Sequence, residues 1–390
     1  MDANQLSPDQ VLSTILKHDR KTNSYKIALL RAIGDVVLAF PNLDTFGLNV
    51  AIPLRILAHY WMAYYWPFVD SAQPIWQGQR AKRDGRVRND ISFRPELAQL
   101  RQEWERVIGD AVRPSDGFFL ANELRAPRKL AGYPPAFQMA YQKTIKAISR
   151  AIEYPIRYAG EGEWTIFPKP ERLGRLDTQV VMPTPGAKPE DKCLLIPMEL
   201  WDTFRRLSLW VEALCIHEWS LYTERVNRHI EIDRGLVYRL LTDRPDNRRP
   251  LTWERNQVEL LIMEGSTFIC PWTGRIIRQG TPFDLDHLLP LTIYPTNELW
   301  NLMPSIPEFN QRIKRDRLPS SQRLAKAKPY FVQNYDLYLL EDELRRALQE
   351  DVSIRFPIPE TNAKVFSKTL AQSVVSLIEQ VADARNIARF

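Results

Sequence analysis

Residues 23–40, "NSYKIALLRAIGDVVLAF", set Ile27, Leu30, Ile33 and Val37 on one face at helical spacing, with Asn23 or Ser24 as cap and Pro41 as stop. This predicts a helix. The same period recurs over residues 95–108 and 135–152, so residues 1–153 read as a helical N-terminal domain. Within it, residues 51–69, "AIPLRILAHYWMAYYWPFV", are rich in aromatics. Pro53, Arg55 and His59 shorten the apolar run below the roughly 20 residues a bilayer needs. The stretch therefore predicts a buried helix, with the aromatics of residues 54–68 packing a core, and no membrane partner.

Between residues 154 and 198 the pattern changes to short β-like runs, "YPIRYAGEGEWTIFPKP" and "TQVVMPTP", then "CLLIP", broken by Pro and Gly. They predict a small β-rich insertion. Residues 199–227 resume a long amphipathic helix with Trp201, Leu209 and Trp210 among its apolar positions. "DRPDNRRP", residues 243–250, then reads as a linker, so 199–250 form a helical segment and linker. Residues 251–328 make a further domain. Residues 329–390 hold two more helical patterns with charged outer faces, "YDLYLLEDELRRALQED" and "NAKVFSKTLAQSVVSLIEQVADARNI". No internal repeat or low-complexity tract is present, which removes solenoids from contention. The expected fold class is mainly α with a small β-containing insertion.

Length and composition add bounds. At 390 residues, with 44% hydrophobic and 26% charged residues, the chain suits a folded protein of two or three domains. A net charge of +6 and a pI near 9.1 favour an anionic partner without naming it. The basic stretch "QGQRAKRDGRVRND", residues 77–90, could grip phosphates or simply be solvated. Cys193, Cys215 and Cys270 are too few and too far apart for a disulfide framework or a four-thiolate zinc site. A reducing compartment fits, and the N-terminus lacks a secretory pattern, so the expected location is cytoplasmic.

Two motifs fail. His217-Glu218 lacks the second histidine a metalloprotease helix needs, and a packed core histidine is the favoured reading. No phosphate-cradling G-x-x-x-x-G-K-S/T loop is present either.

Residues 283–320, "FDLDHLLPLTIYPTNELWNLMPSIPEFNQRIKRDRLPS", are different. Residues 283–288 suit a strand ended by Pro290, and 299–303 a second, with "TIYPTNE" between. Ser305 and Glu308 form a capping box with Pro307 in the first turn, so a helix should begin there and stop at Pro319. On that strand–loop–strand–helix frame, Asp286 and His287 end the first strand. Asn310, Lys314 and Arg317 follow one another along a helix face. Asp284 shares Asp286's face and reads as structural.

One carboxylate, one imidazole, one amide oxygen and two cations are the parts needed to hydrolyse a phosphodiester with one metal ion. A hard cation such as Mg²⁺ prefers oxygen ligands, here Asp286 and Asn310. A neutral imidazole can take the proton of the attacking water, here His287. Cations hold the flanking phosphates.

This segment resembles the HNH, or ββα-metal, endonucleases, and its spacing is similar to that of the HNH domain of the RNA-guided CRISPR effector nucleases. Asn301 and Asn310 follow the Asp-His pair at that spacing, and "CPWTGRII", residues 270–277, resembles the C-x-[YW]-[TS]-G-[KR] lead-in of that domain. The resemblance covers residues 265–320. It implies a ββα-metal nuclease unit with catalytic His287 as general base, Asp286 and Asn310 as metal ligands, and Asn301 pinning the loop behind the base. RNA guidance is not carried over. The helical N-terminal region followed by such a unit also looks like stand-alone HNH proteins of bacterial restriction and anti-phage defence.

Two departures matter. The H-N-N version should favour Mg²⁺ or Mn²⁺ over softer metals. Cys270 is followed by Thr273 where relatives carry a second cysteine, so no structural zinc is expected. The basic run over residues 310–328 contains Arg312, Lys314, Arg315, Arg317, Arg323, Lys326 and Lys328 against Asp316. Arg312, Lys314, Arg315 and Arg317 are the expected phosphate contacts.

The expected function is a metal-dependent endonuclease acting on double-stranded DNA in restriction or anti-phage defence. The other helices would supply target recognition, homo-oligomerisation or contact with a regulatory protein. An RNase with the same site stays open, as does a nucleic-acid-binding or signal-responsive module whose HNH unit is structural or active only within a partner complex.

Overall fold

A computed structural model describes residues 6–41, 43, 47–78, 90–230, 232–243, 249–294, 296–358 and 363–390. Most of the basic stretch at 77–90 and of the linker at 243–250 lies outside the described residues. The protein is mainly helical with small sheets. It divides into two compact units: Met1–Ala39, Leu43–Ala121 and Lys129–Arg244 form the first, and Phe40–Asn42, Asn122–Arg128 and Pro245–Phe390 the second.

In the first unit the helix Tyr25–Ala39 is buried on nearly every side, not on one face, because Leu29 and Val36 are as apolar as the predicted stripe. It packs against the helices Leu54–Tyr65, Pro135–Arg157 and Ser208–Val226. Arg94–Ile108 starts with Pro95 in its first turn and ends at Gly109, whose φ of 60° closes the helix in the left-handed region. In Arg94–Ile108 and Pro135–Arg157 burial does follow the period, with Leu97, Leu100 and Trp104, and Phe137, Tyr141 and Ile148, on the inner faces.

Elsewhere the structure differs from expectation. The segment at 51–69 is helical only from Leu54, because Asn49–Pro53 forms a strand, β1. The strands β2 (Glu171–Arg172), β3 (Val181–Pro183) and β4 (Lys192–Ile196) join it in the order β2-β4-β1-β3. β1 runs antiparallel to β4, with Val50 opposite Ile196 and Ala51 opposite Leu195, and parallel to β3. The β-rich insertion is therefore no independent body. Its central strand comes from far upstream.

The single helix expected at 199–227 is two, Met198–Arg206 and Ser208–Val226, broken at Leu207. Trp201 is buried, but the break turns Leu209 and Trp210 outward, leaving them 46% and 67% exposed. His217 is exposed rather than a core histidine, since Cys215, Ile216, Trp219 and Ser220 take the buried side of the second helix. Cys193, Cys215 and Cys270 are buried free thiols, and burial pushes the Cys193 thiol up to about 12. Among the described residues no helix is long and apolar enough to cross a membrane.

The aromatic helix Leu54–Tyr65 does pack a core. Trp61 and Tyr65 lie against Phe93, and Tyr65 against Trp219, with ring centroids 5.0–6.1 Å apart. Gln77 Oε1 accepts the Trp219 indole N–H at 2.7 Å, and the Tyr65 hydroxyl meets the Ser24 hydroxyl at 2.8 Å.

The second unit is built from the helix Thr252–Met263, two small hairpins and the helices Ser321–Tyr338, Asp342–Ser353 and Ala363–Arg385. One hairpin joins β5 (Phe268–Ile269) to β6 (Ile276–Ile277); the other joins β7 (Asp284–His287) to β8 (Leu302–Ser305). The helix Ser321–Tyr338 runs across the boundary expected at residue 328. It ties both hairpins: Asn334 bonds Ile269 in both directions at 3.1 and 2.9 Å, and the Tyr335 and Tyr338 hydroxyls donate to Trp300 O and Leu302 O. The terminal helices thus belong to the same core as the hairpins.

Gly117 marks the tightest approach in the first unit. A Cβ there would lie 2.6 Å from Trp66 Cβ and 2.9 Å from Ala63 Cα. Gly117→Ala should cost about 1–3 kcal/mol by overpacking, measured as a shift of the denaturation midpoint; an unshifted midpoint would refute the close contact.

Candidate functional site

The site is built on β7 and β8. Asp284 faces Ser305, Asp286 faces Met303 and His287 faces Leu302 across the antiparallel ladder. The second strand starts later than expected. Leu299–Asn301 forms a tight turn instead, because Asp351 Oδ2 accepts the Leu299 N–H at 2.8 Å and Asn301 turns its side chain into the loop. Ser305 ends β8 rather than capping a helix, its hydroxyl donating to Met303 O at 3.4 Å. Ile306 takes the cap position, and the expected capping box does not form.

The helical stretch is also shorter than expected. Pro307–Phe309 gives one turn, then Asn310–Lys314 widens into a π-type turn closed by the Arg315 N–H on Asn310 O at 2.9 Å. Arg315 itself has φ 52° and ψ −125°, where a side chain is strained. The helix ends there, before Pro319, and a new one begins at Ser321 with Ser320 as its cap.

That wide turn aims Lys314 inward. Its ammonium donates to Asp286 Oδ1 at 2.9 Å and to His287 O at 2.7 Å, and its side chain is 1% exposed. Lys314, expected on a phosphate, is instead the buried counter-ion of Asp286. The other oxygen of Asp286 accepts the Trp272 indole N–H at 3.0 Å. Trp272 comes from the tight turn between β5 and β6, where Cys270 Sγ accepts the Ile306 N–H.

His287 is partly buried, and its Nε2 lies 2.9 Å from Asn297 Oδ1. An amide oxygen only accepts, so Nε2 carries the proton in this contact. Asn297 sits on a firmly held loop. Asn301, fully buried, accepts from Leu289 N at 2.8 Å and donates to Leu289 O and Thr296 O. Next to it Glu298 receives both Nε and Nη2 of Arg355, at 3.1 and 2.8 Å, with neither side chain more than 1% exposed. The Trp300 indole N–H donates to the same carboxylate.

Asn310 does not meet Asp286. Its amide N–H donates to Asp284 Oδ2 at 3.2 Å, where Gln311 donates as well at 3.1 Å. Asp284, set aside in the sequence reading, is the carboxylate that partners Asn310. Strand alternation, which puts it on Asp286's face, is the signal that could have found it. Trp272 falls on the aromatic position of the 270–277 lead-in, though its bond to Asp286 is set by chain folding, and nothing local flags Asn297.

Arg312 and Arg315 are exposed, as expected for phosphate contacts. Arg317 is partly buried, donating to Ile313 O with its guanidinium 6.0 Å from the Phe390 ring. Arg323 lies between the rings of Phe309 and Phe390, and Lys328 bonds Gln372. Lys326 is exposed.

Among the described residues no group of three or more His, Cys, Asp or Glu side chains gathers as a metal cluster. The oxygen donors available are the carboxylates of Asp284 and Asp286 and the amide of Asn310. Asp284 Oδ1 and Asn310 Oδ1 make no hydrogen bond among the described residues, and an all-oxygen set suits a hard cation over a soft one.

A mainly helical protein with two units, the second carrying this strand–loop–strand–helical-turn site, is the class these features define. Residues 4–241 match the model of a domain of unknown function, DUF8808, and the chain belongs to that family. The matched stretch ends ahead of the helix Thr252–Met263 and of the Asp-His pair. No curated protein and no solved structure matches the chain.

Arg315→Gly should stabilise the protein by about 1 kcal/mol, since glycine adopts the required backbone without strain and its extra unfolded-state entropy offsets only part of the gain. Urea unfolding of the variant checks this; a loss of stability would mean Arg315 does not hold that conformation.

Proposed function

We propose that the second unit is a metal-dependent phosphodiesterase of the HNH, or ββα-metal, type that cleaves DNA, serving restriction or anti-phage defence in the cytoplasm. The observation that carries this reading is the way Asp284, Asp286, His287 and Asn310 gather around one strand end, with a helical turn laid across it and a rigid loop behind it. The matched family domain has no assigned function and neither favours nor opposes it.

In this reading His287 is the general base. The contact of Nε2 with Asn297 orients the imidazole, which in this role takes the proton of the attacking water. Asn297 is a positioning residue. It orients the ring, and Asn301 and the Glu298–Arg355 pair hold the loop that carries Asn297.

Asp284 and Asn310 would hold a divalent cation, Mg²⁺ or Mn²⁺, beside Asp286. When bound, that ion supplies positive charge to the scissile phosphate and the leaving 3′ oxygen. Lys314 contributes a fixed positive charge at Asp286. Arg312 and Arg315, from the solvent side, hold flanking phosphates irrespective of sequence.

One observation favours a second reading. The carboxylate of Asp286 is already neutralised by a buried ammonium, which would suit a unit that is structural or that rearranges only inside a complex with nucleic acid or a partner protein. An RNase would use the same groups.

The test is cleavage of supercoiled plasmid and of single-stranded RNA by the purified protein with Mg²⁺, Mn²⁺ or EDTA. The expected result is metal-dependent nicking of the plasmid, reduced about 10²–10⁴-fold in His287→Ala with DNA affinity unchanged. Cutting at the wild-type rate by His287→Ala would sink the assigned base, RNA cleavage without plasmid cleavage would make the protein an RNase, and no cleavage of either would favour the second reading.

A further inference from the structure

The helix Pro135–Arg157 turns one side inward, burying Phe137, Tyr141, Thr144, Ile148 and Ile152. The opposite side carries Lys143, Lys146 and Arg150, all exposed. At 3.6 residues per turn the three lie within about 60° of one another around the helix axis, along about 10 Å of its length. They form a single basic row on a rigid support.

That row is uncommitted. Lys143, Lys146 and Arg150 make no hydrogen bond, ion pair or ring contact among the described residues. The helix holds one carboxylate, Glu153, which is paired with Lys192 at 2.6 Å. Arg157, further along, is paired with Glu163 at 2.6 Å and adds no free charge. Like charges one turn apart destabilise a helix, and among the described residues nothing relieves these three. An external anion would.

The surroundings select the kind of anion. A helix that binds an anionic membrane surface inserts its apolar face, and here that face is already inside the protein. A protein partner is met by an apolar centre within a polar rim, whereas here the charges are central and the exposed Met139 and Tyr154 stand at either end. A single nucleic-acid strand is gripped by cations interleaved with stacking rings, and no aromatic lies between Lys143 and Arg150. A duplex presents one negative charge per about 1.7 Å of its axis and needs only positive charge set along a line.

We propose that the outer face of this helix binds the phosphate backbone of double-stranded DNA, without regard to sequence, through Lys143, Lys146 and Arg150. The choice of DNA over an RNA duplex rests on the reading of the second unit. The contact itself lies wholly in the DUF8808 part of the chain and needs no cleavage.

The experiment is fluorescence anisotropy of the full chain in EDTA over a range of salt concentrations, with two short DNA duplexes of unrelated sequence, an RNA duplex of the same length and phosphatidylserine vesicles. Replacing the three cations together, Lys143→Gln, Lys146→Gln and Arg150→Gln, should weaken binding to both DNA duplexes at least about tenfold. It should also flatten the fall of log affinity with log salt by about 0.9 per cation removed, with an unchanged melting curve. The charge-keeping variant Lys143→Arg with Lys146→Arg should bind as the wild type does. No DNA binding by the wild type, wild-type affinity and salt slope in the triple variant, weakening confined to one DNA sequence, or tighter binding of the RNA duplex or the vesicles than of DNA would each overturn the proposal. Because binding is read in EDTA, a failure to nick plasmid with this binding intact bears on the nuclease reading alone.

Discussion

The buried contact between Lys314 and Asp286 is the constraint around which the second unit is arranged. A carboxylate inside a protein is tolerated only when its charge is matched and its oxygens are bonded. Here one oxygen takes the ammonium and the other takes the Trp272 indole, while the ammonium's second bond goes to the carbonyl of His287. Three separate pieces of chain are thereby fixed: the turn between β5 and β6, the end of β7 and the helical turn at 307–314. The π-type widening that brings Lys314 inward ends in a strained Arg315, so local backbone strain is offset by a satisfied interior.

A second layer holds the loop behind His287. Asn301 closes it by three hydrogen bonds, Asp351 takes the Leu299 N–H, and Arg355 and Glu298 form a fully buried pair. These contacts reach no ligand themselves. Their consequence is an anchored loop from which Asn297 meets the imidazole of His287. A reacting group needs that degree of preorganisation, and a loop without such anchors would not provide it.

Much of the helical framework was legible in the sequence, because burial imposes a 3.6-residue period that residues such as Ile27, Ile33, Leu97 and Ile148 obey. The strand–loop–strand order at 283–305 was legible too, with boundaries displaced by a few residues. What escaped depends on partners remote in the chain. β1 is a strand because β4 lies beside it, and Leu207 breaks a helix whose pattern looks continuous. Ser305 has the sequence of a cap, yet pairing with Asp284 keeps it in the strand. Lys314 was placed on the correct helix face, but a period of 3.6 cannot foresee a wider turn, nor that a carboxylate would claim its charge before any phosphate could.

A double-mutant cycle on Asp286 and Lys314 tests this account most directly, using Asp286→Asn, Lys314→Met and the double variant in urea unfolding. Removing either partner should cost about 3–5 kcal/mol by stranding a buried charge, and the double variant should cost less than the two losses added together. Additive losses would mean the two groups do not interact, and the arrangement of strand, lead-in turn and helical turn around them would have to be abandoned.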